Sequence, residues 1–498
     1  MKAFKDFLTI KENEQPAAQK EGATVHILDP GFNPTQSSNL VIIIEAFLKK
    51  DVEVMKDTTK PIIIKKKPLY LVGGPVRDFL LNRSIKDYDL ATPATPIQIA
   101  TILNNAGFSY GGGRSQEDTQ FMEKLPFNPK YRENSNKVWF IKGRDASKNV
   151  FVIGANVNGQ EFDIATFRKD AKMGQVADDA QARDKRTPNM EFVDNIHDDA
   201  SRRDFTINSM YIELNKANGP NNKLHDPTGQ GWHDIHQGVV RTVGAAKDRF
   251  TEDPLRVLRA IRFHCRFSKG ETMDADIEKN LPDFVNLDKK IALERIRQEF
   301  LSGLLDPGTN LRPYINIYVK KGFMGKVLPG INIHPDIPTQ FTEKRDKPLA
   351  LAWLMQGNPL ASVEKVLSGV REMDDGETKP TGWASEEKRA VLFLLKLIEF
   401  HPKDVSALSN QRKGTGLSEQ QIKDWVDMFN YTDGANRVRN KNGPQWSATI
   451  KTFADHKPSV KWDQIAHEYP DIPQHHIGQV IAGRESEEFL KKLPKTED

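Results

Sequence analysis

Cysteine is nearly absent: Cys265 is the single one in 498 residues. One thiol closes no intrachain disulfide and builds no multi-cysteine zinc site. Inside an apolar-periodic stretch it is expected to be a small buried residue. Long hydrophobic runs are missing as well. Leu40–Leu48 is interrupted by Glu45 and is too short to cross a bilayer. No basic start, apolar core and small-residue cleavage site opens the chain. The expectation is a soluble protein of an aqueous, reducing compartment, placed in the cytoplasm and with no membrane partner. A decisive charge excess is lacking too, with 72 Lys+Arg against 68 Asp+Glu and a net charge of +4. Any nucleic-acid surface must therefore come from local clustering. Nothing in the sequence reports oligomeric state.

What is present is an ordinary globular balance, 38% hydrophobic and 28% charged, on a chain long enough for two to four structural units. Residues 1–60 mix polar stretches with the apolar segment Asn39–Lys50, which reads as helix or strand and gives this extension no function. From Pro68 the pattern sharpens. Leu69–Val72 is a short apolar run, Gly73-Gly74-Pro75 follows, and Val76, Phe79 and Leu80 recur at helical spacing: strand, glycine turn, helix. Tyr88–Ala91 is a further strand. Thr95 then caps a helix over Ile97–Asn104, with Pro96 at its first position. Residues 111–148 are polar and read as an insertion or loop. Val150–Val157 and Gln160–Phe167 flank Asn158-Gly159, the turn pair favoured where both residues take positive φ. Residues 170–190 are polar again. Past Thr251 the periodicity is helical: Asp253–Phe267, Ile291–Leu305, Leu349–Met355, Glu386–Phe400 and Ser418–Met428. A mixed α/β head is thus followed by a helical remainder.

The residues that carry chemistry sit mostly in the head. Asp87 and Asp89, at i and i+2 on a strand, point to one face. That pair suits Mg²⁺, which takes one or two carboxylates together with substrate phosphates. Gly73 and Gly74 let backbone N–H groups approach a triphosphate, and Arg77 adds positive charge on the following helix. Asp163, in the second strand of the hairpin, supplies a third carboxylate if its strand lies beside that of Asp89. Two metals could then bridge an attacking hydroxyl and a transferring phosphate, with Asp163 as ligand and proton acceptor. In Ser201–Met210, Arg203 suits phosphate oxygens, with Asp204 and Asn208 as further nucleotide-binding candidates. Arg256, Arg259 and Arg262 recur every third residue and fan over an arc of roughly 120° on a helix, behind Asp253 and Pro254. The ordinary readings of these residues are a helix cap, a solvated turn and an exposed hairpin position.

The ordered set GGPVRD, DYD, EFDIATFR, SRRDFTINSMY, LHDPTGQGWHDIHQGVVRTVG and EDPLRVLRAIRF closely resembles the superfamily of class II tRNA nucleotidyltransferases and bacterial poly(A) polymerases, over about residues 68–300. The resemblance implies an α+β architecture: a polymerase-β-like nucleotidyltransferase head with a mixed sheet, then an all-helical neck, body and tail that hold RNA. It divides the chain into an extension (1–60), a catalytic head (61–215), a neck that recognises the base (216–305) and a body and tail (306–498). It makes Asp87, Asp89 and Asp163 the metal-binding and catalytic positions. Gly74, Arg77 and Arg203 become nucleotide-binding positions, and Asp253 and Arg256, with Arg259 and Arg262, the neck segment that reads the base. The implied activity is template-independent addition of nucleotides to an RNA 3′ end, with Mg²⁺, ATP and CTP.

Two branches share that head. Ala165–Arg168 and Glu252–Pro254 look like the poly(A) branch. Its Gly-Arg-Arg-Phe segment is missing, however, and Thr92–Gly107 looks closer to the tRNA enzymes. The expectation leans to addition or repair of CCA on tRNA, with poly(A) synthesis as alternative. The alternative of another class is a non-catalytic RNA-binding protein on the same scaffold. A phosphohydrolase built on His197-Asp198, His225-Asp226 or His233-Asp234 is set aside, because these pairs fall inside the family-like region. Beyond Phe300, Arg437–Lys441 and Lys451–Lys461 are basic, with solvated surface as their ordinary explanation. Trp353, Trp383, Trp425 and Trp446 are expected to be core anchors.

Overall fold

The computed structural model describes residues 23–27, 37–49, 51–55, 61–85, 87–111, 134–141, 152–170, 190–214, 223–268, 273–289, 291–333, 345–372, 378–380, 383–430 and 445–494. These form two compact units. One comprises Met1–Asp253 with Phe267–Asn280, the other Pro254–Arg266 with Leu281–Asp498. The patch Arg437–Lys441 lies outside the described residues, as do residues 171–189.

The first unit is built on a nine-stranded sheet. Its strands are β1 (Thr24–Ile27), β4 (Tyr70–Val72), β5 (Asp89–Thr92), β6 (Ser109–Tyr110), β7 (Lys137–Ile141), β8 (Val152–Val157), β9 (Gln160–Thr166), β12 (Tyr211–Glu213) and β13 (Lys223–Asp226). Across the sheet they run β1-β13-β12-β4-β5-β9-β8-β7-β6. Two small ribbons, β2 (Val52–Met55) with β3 (Pro61–Ile64) and β10 (Arg168–Asp170) with β11 (Met190–Phe192), lie outside it. Most neighbours are antiparallel; β5 with β9 and β6 with β7 are parallel. The stretch 111–148 is therefore not all loop, since Lys137–Ile141 is a sheet strand paired to β8.

Local chemistry accounts for the joints. Asn158 and Gly159 adopt φ of 51° and 88°, the left-handed pair a two-residue hairpin needs. The Thr95 hydroxyl accepts from the Gln98 N–H while the Gln98 side chain accepts from the Thr95 N–H, closing a capping box at the start of Pro96–Asn105. The N-terminal extension belongs to this unit. Ser38–Leu48 is a helix that buries Leu40, Ile43, Ile44 and Phe47, the i, i+3, i+4, i+7 stripe. It packs on helix Pro96–Asn105 and on β8. Ser37 and Asn39 both donate to the Gln160 side chain, at 2.8 and 3.1 Å. The β-prone run after Phe205 is a 3₁₀ turn, Thr206–Asn208, before β12 begins.

The second unit is helical. Helix Leu255–Phe267, whose last residue falls in the first unit, buries Val257, Leu258 and Ile261 on one stripe. Within this unit Phe300, Tyr314 and Tyr318 pack ring to ring. Gly303 is required there, because a Cβ would come within 2.4 Å of the Tyr314 ring. Trp353, Trp425 and Trp446 are buried as expected, clustered around Phe429, while Trp383 is only partly so. In the tail, buried Glu485 accepts the backbone N–H groups of Ser459 and Val460. Lys451, in the second basic patch, pairs with Asp427. Among the described residues no helix is long and apolar enough to cross a membrane.

Candidate active site

The site begins with alternation. Tyr88 and Phe162 are buried and meet ring to ring at 5.9 Å on one face of β5 and β9. Their chain neighbours Asp87, Asp89 and Asp163 are exposed; Asp89 and Asp163 follow the two-residue period of their strands, whereas Asp87 lies in a bend before β5 and not on the strand expected from the sequence. The decisive point is register. β5 and β9 are parallel neighbours, and Asp89 stands opposite Asp163. Residues opposite one another on adjacent strands share a face, their Cβ atoms about 5 Å apart. The structure thus brings together carboxylates 74 positions apart in sequence.

Their electrostatics show strain of like charge. Asp89 keeps solvent access, yet the protein around it strips part of its water and raises its pKa. Asp163 and Asp87 raise it further, while Arg203 and Arg77 pull it back. Asp163 is raised by desolvation first, then by Glu161 and Asp87. Among the described residues no three His, Cys, Asp or Glu side chains stand close enough together to hold a metal ion as they are placed. What stands here is an all-oxygen, mutually repelling carboxylate set. It fits a hard divalent cation, which relieves that repulsion.

Beside the carboxylates is the glycine turn. Gly73 has φ 72° and ψ −130°, so a side chain is strained there. A Cβ on it would stand 3.6 Å from Arg203 Nη1 and 3.8 Å from Asp89 Oδ2, so this bare backbone lies between a cation and the carboxylates. Gly74 starts helix Gly74–Leu80, which carries Arg77. Arg77 is buried and held from several sides. Its Nη1 donates to Asn208 Oδ1 at 2.7 Å, its Nε to Asp78 at 3.0 Å, and its guanidinium lies 4.5 Å from the Phe267 ring centroid. Asn208 in turn donates to Asp204 Oδ1, which also accepts the Phe205 N–H. Asp204 and Asn208 therefore support Arg77, and both ends of the Asn208 amide are occupied by protein.

Arg203 has its own support, which the sequence did not reveal. Asp199 is fully buried. It accepts from Arg203 Nη2 at 3.0 Å, Arg202 Nη2 at 2.7 Å, the Tyr211 hydroxyl at 2.7 Å and the Arg168 N–H at 3.2 Å. Arg203 Nε donates to the Tyr211 oxygen at 2.8 Å. Burial alone would raise the Asp199 pKa, but the charges of Arg203 and Arg202 and the Tyr211 hydrogen bond outweigh it and bring it to about 2. The available signal was an acidic residue four positions before Arg203 on a short helix, Ile196–Ser201; in sequence it looks like any first-turn carboxylate.

In the His-Asp pairs the carboxylates are held by local protein groups, Asp198 accepting from the Asn195 amide. Asp226 accepts from the Thr228 hydroxyl and the Trp232 N–H, and Asp234 from Thr206 and Arg241. Of the base-recognition candidates, Asp253 is extended, φ −142° and ψ 99°, at the end of helix Ala246–Glu252 rather than inside a helix. Arg256, Arg259 and Arg262 stand on helix Leu255–Phe267 in the second unit, all partly exposed. Arg259 and Arg262 both lie against the Phe263 ring, and Arg262 is also ion-paired at 2.5 Å to Glu299.

Comparison with known proteins adds likenesses of sequence and fold. Residues 69–127 and 113–241 match the Poly A polymerase head domain. Over those residues the chain is similar to that head domain. Its relatives are more particular. The CCA-adding enzyme of Lactobacillus johnsonii is 31% identical over 240 residues, 48% of this chain and 47% of that one. The CCA-adding enzyme of Staphylococcus saprophyticus is 29% identical over 389 residues, 77% and 79% of the two chains. The chain spans about half the length of the first of these curated relatives. A CCA-adding enzyme structure in apo form II aligns with TM-score 0.50 at 17% identity, covering 86% of this chain and 91% of that one. A CCA-adding enzyme in complex with ATP aligns with TM-score 0.50 at 19%, covering 85% and 86%. These two structures speak for the fold, α+β with a mixed-sheet head and helices after it.

Proposed function

We propose that this protein is a template-independent RNA 3′-end nucleotidyltransferase that builds or repairs CCA on tRNA from CTP and ATP, in the cytoplasm, with Mg²⁺. The observation that carries the reading is the Asp89–Asp163 register beside Asp87. These three carboxylates would hold the divalent cation. When bound, it would stabilise the charge that develops on the transferring phosphate and its attacking and leaving oxygens.

The protein's own groups do the rest. Backbone at Gly73 and Gly74, with Arg77 and Arg203, positions the triphosphate. The RNA 3′-oxygen forms a bond to the α-phosphorus, the bond from that phosphorus to the bridging oxygen breaks, and pyrophosphate leaves. The hydroxyl proton passes to Asp163, the carboxylate on the side away from the triphosphate groups. Asp253 and Arg256 read the base. Cytosine and adenine each present an amino donor beside a ring-nitrogen acceptor, which a carboxylate and a guanidinium match. Uracil and guanine reverse that pattern and leave both groups unpaired. Arg262 reaches a nucleotide only by leaving Glu299.

The preference for CCA rests on curated relatives that are CCA-adding enzymes. The test offers CTP, ATP, GTP and UTP, singly and together, to a tRNA lacking its 3′ end and to an unrelated RNA, with Mg²⁺. Extension that stops after C, C, A on tRNA alone is expected. Long A tails on both RNAs would replace this reading with poly(A) synthesis. RNA binding without extension would make the protein a non-catalytic binder.

A further inference from the structure

The sheet that carries the carboxylates continues past them in a single row. On the open face, Asp89 of β5 stands opposite Asp163 of β9, Asp163 opposite Gly154 of β8, and Gly154 opposite Trp139 of β7. Gly154 owes its identity to its neighbour. A Cβ there would lie 2.3, 2.5 and 2.6 Å from Trp139 Cε2, Nε1 and Cζ2. Three ring atoms at nearly equal distance mean that the indole lies flat over the glycine, leaning toward Asp163, while Trp139 remains partly exposed.

Phosphoryl transfer fixes which ligand lies on which side. The attacking and leaving oxygens stand roughly in line across the phosphorus. The triphosphate groups, Gly73 and Arg203, lie on the β4 side of Asp89. The attacking RNA end must then approach from the other side, past Asp163, where the next surface is Gly154 and its covering indole.

We propose that Trp139 is the stacking platform for the base of the RNA's 3′-terminal nucleotide, and that Gly154 is the gap that lets the ring lie there. Aromatic stacking is tolerant of base identity, because every base has a π-face. That tolerance is what an enzyme needs if its own product, ending in a different base, becomes its next substrate. The proposal rests on the nucleotidyl-transfer reading above.

The experiment measures RNA and NTP KM separately for the full chain and for Trp139→Ala, Trp139→Leu and Trp139→Phe. Alanine and leucine are expected to raise the KM for the 3′-truncated tRNA about tenfold or more, leaving the NTP KM within about twofold. Phenylalanine restores most of the loss. Leucine keeps apolar volume without a π-face, so if alanine fails to fold, leucine against phenylalanine still decides. An unchanged RNA KM, or a rise confined to the NTP KM, overturns the platform. A wild-type protein that extends no RNA overturns the transfer reading instead, and quenching of Trp139 fluorescence by RNA, absent in Trp139→Phe, then tests the platform by itself.

Discussion

Asp89 with Asp163, and Asp199 further along the chain, present the same functional group in one compact unit under opposite treatment. Asp89 and Asp163 face each other and are held above the ordinary aspartate pKa of 3.8 by lost water and like charge. Asp199 is more deeply buried, yet two arginines and a tyrosine bring it to about 2. Burial raises all three, and the partners then decide whether a carboxylate stays strained. An under-compensated pair invites an external cation, whereas a saturated one is finished as structure.

The comparison breaks most visibly at the site. Asp89→Asn and Asp163→Asn should each lower nucleotide incorporation by about a thousandfold. The thermal midpoint should stay level or rise, because like-charge repulsion is removed; a fall of several degrees would mean these carboxylates serve the fold. A carboxylate with a single arginine partner extends the contrast to the helical unit. Arg262→Met strands Glu299, which is 8% exposed, and should cost about 3 kcal/mol in urea unfolding. Next comes Asp199 itself. Its folded pKa is depressed, so its contribution is complete above 3.8 and disappears as pH falls toward about 2. The difference is worth about 2 kcal/mol. Asp199→Asn should lose that amount at neutral pH and flatten the pH dependence of unfolding between those values. The smallest effect is a shift. In the metal-free protein the Asp163 carboxyl, followed by carbon-13 NMR, should titrate above 3.8, and a midpoint at or below it would show that lost water and like charge do not strain it.

Much of this was legible in the chain, for physical reasons that can be named. Alternation around Tyr88 and Phe162 set Asp89 and Asp163 on one face, and Asn158-Gly159 announced the hairpin that delivers Asp163. Thr95, Pro96 and Gln98 wrote their helix start in full. What stayed hidden depends on pairings distant in sequence. Asp199 becomes a hub only when Arg168 and Tyr211 arrive, and Trp139 acquires a neighbour only when β7 is registered on β8 within a stretch that reads as loop. The segment Asn39–Lys50 was ambiguous because a continuous apolar run has no period of its own; contact with helix Pro96–Asn105 makes it a helix.

The place of β1 bears on how the protein comes off the ribosome. Thr24 pairs with Asp226, so the first described strand has no partner until about 200 more residues have been made. At roughly 5–20 residues per second that is a wait of tens of seconds. During that interval a short segment with unmet backbone groups is open to the wrong neighbour, and so is the rim it will later cover. The molecule's last stitch is thus sewn with its earliest thread, and slow, chaperone-sensitive maturation of the head is the expected result.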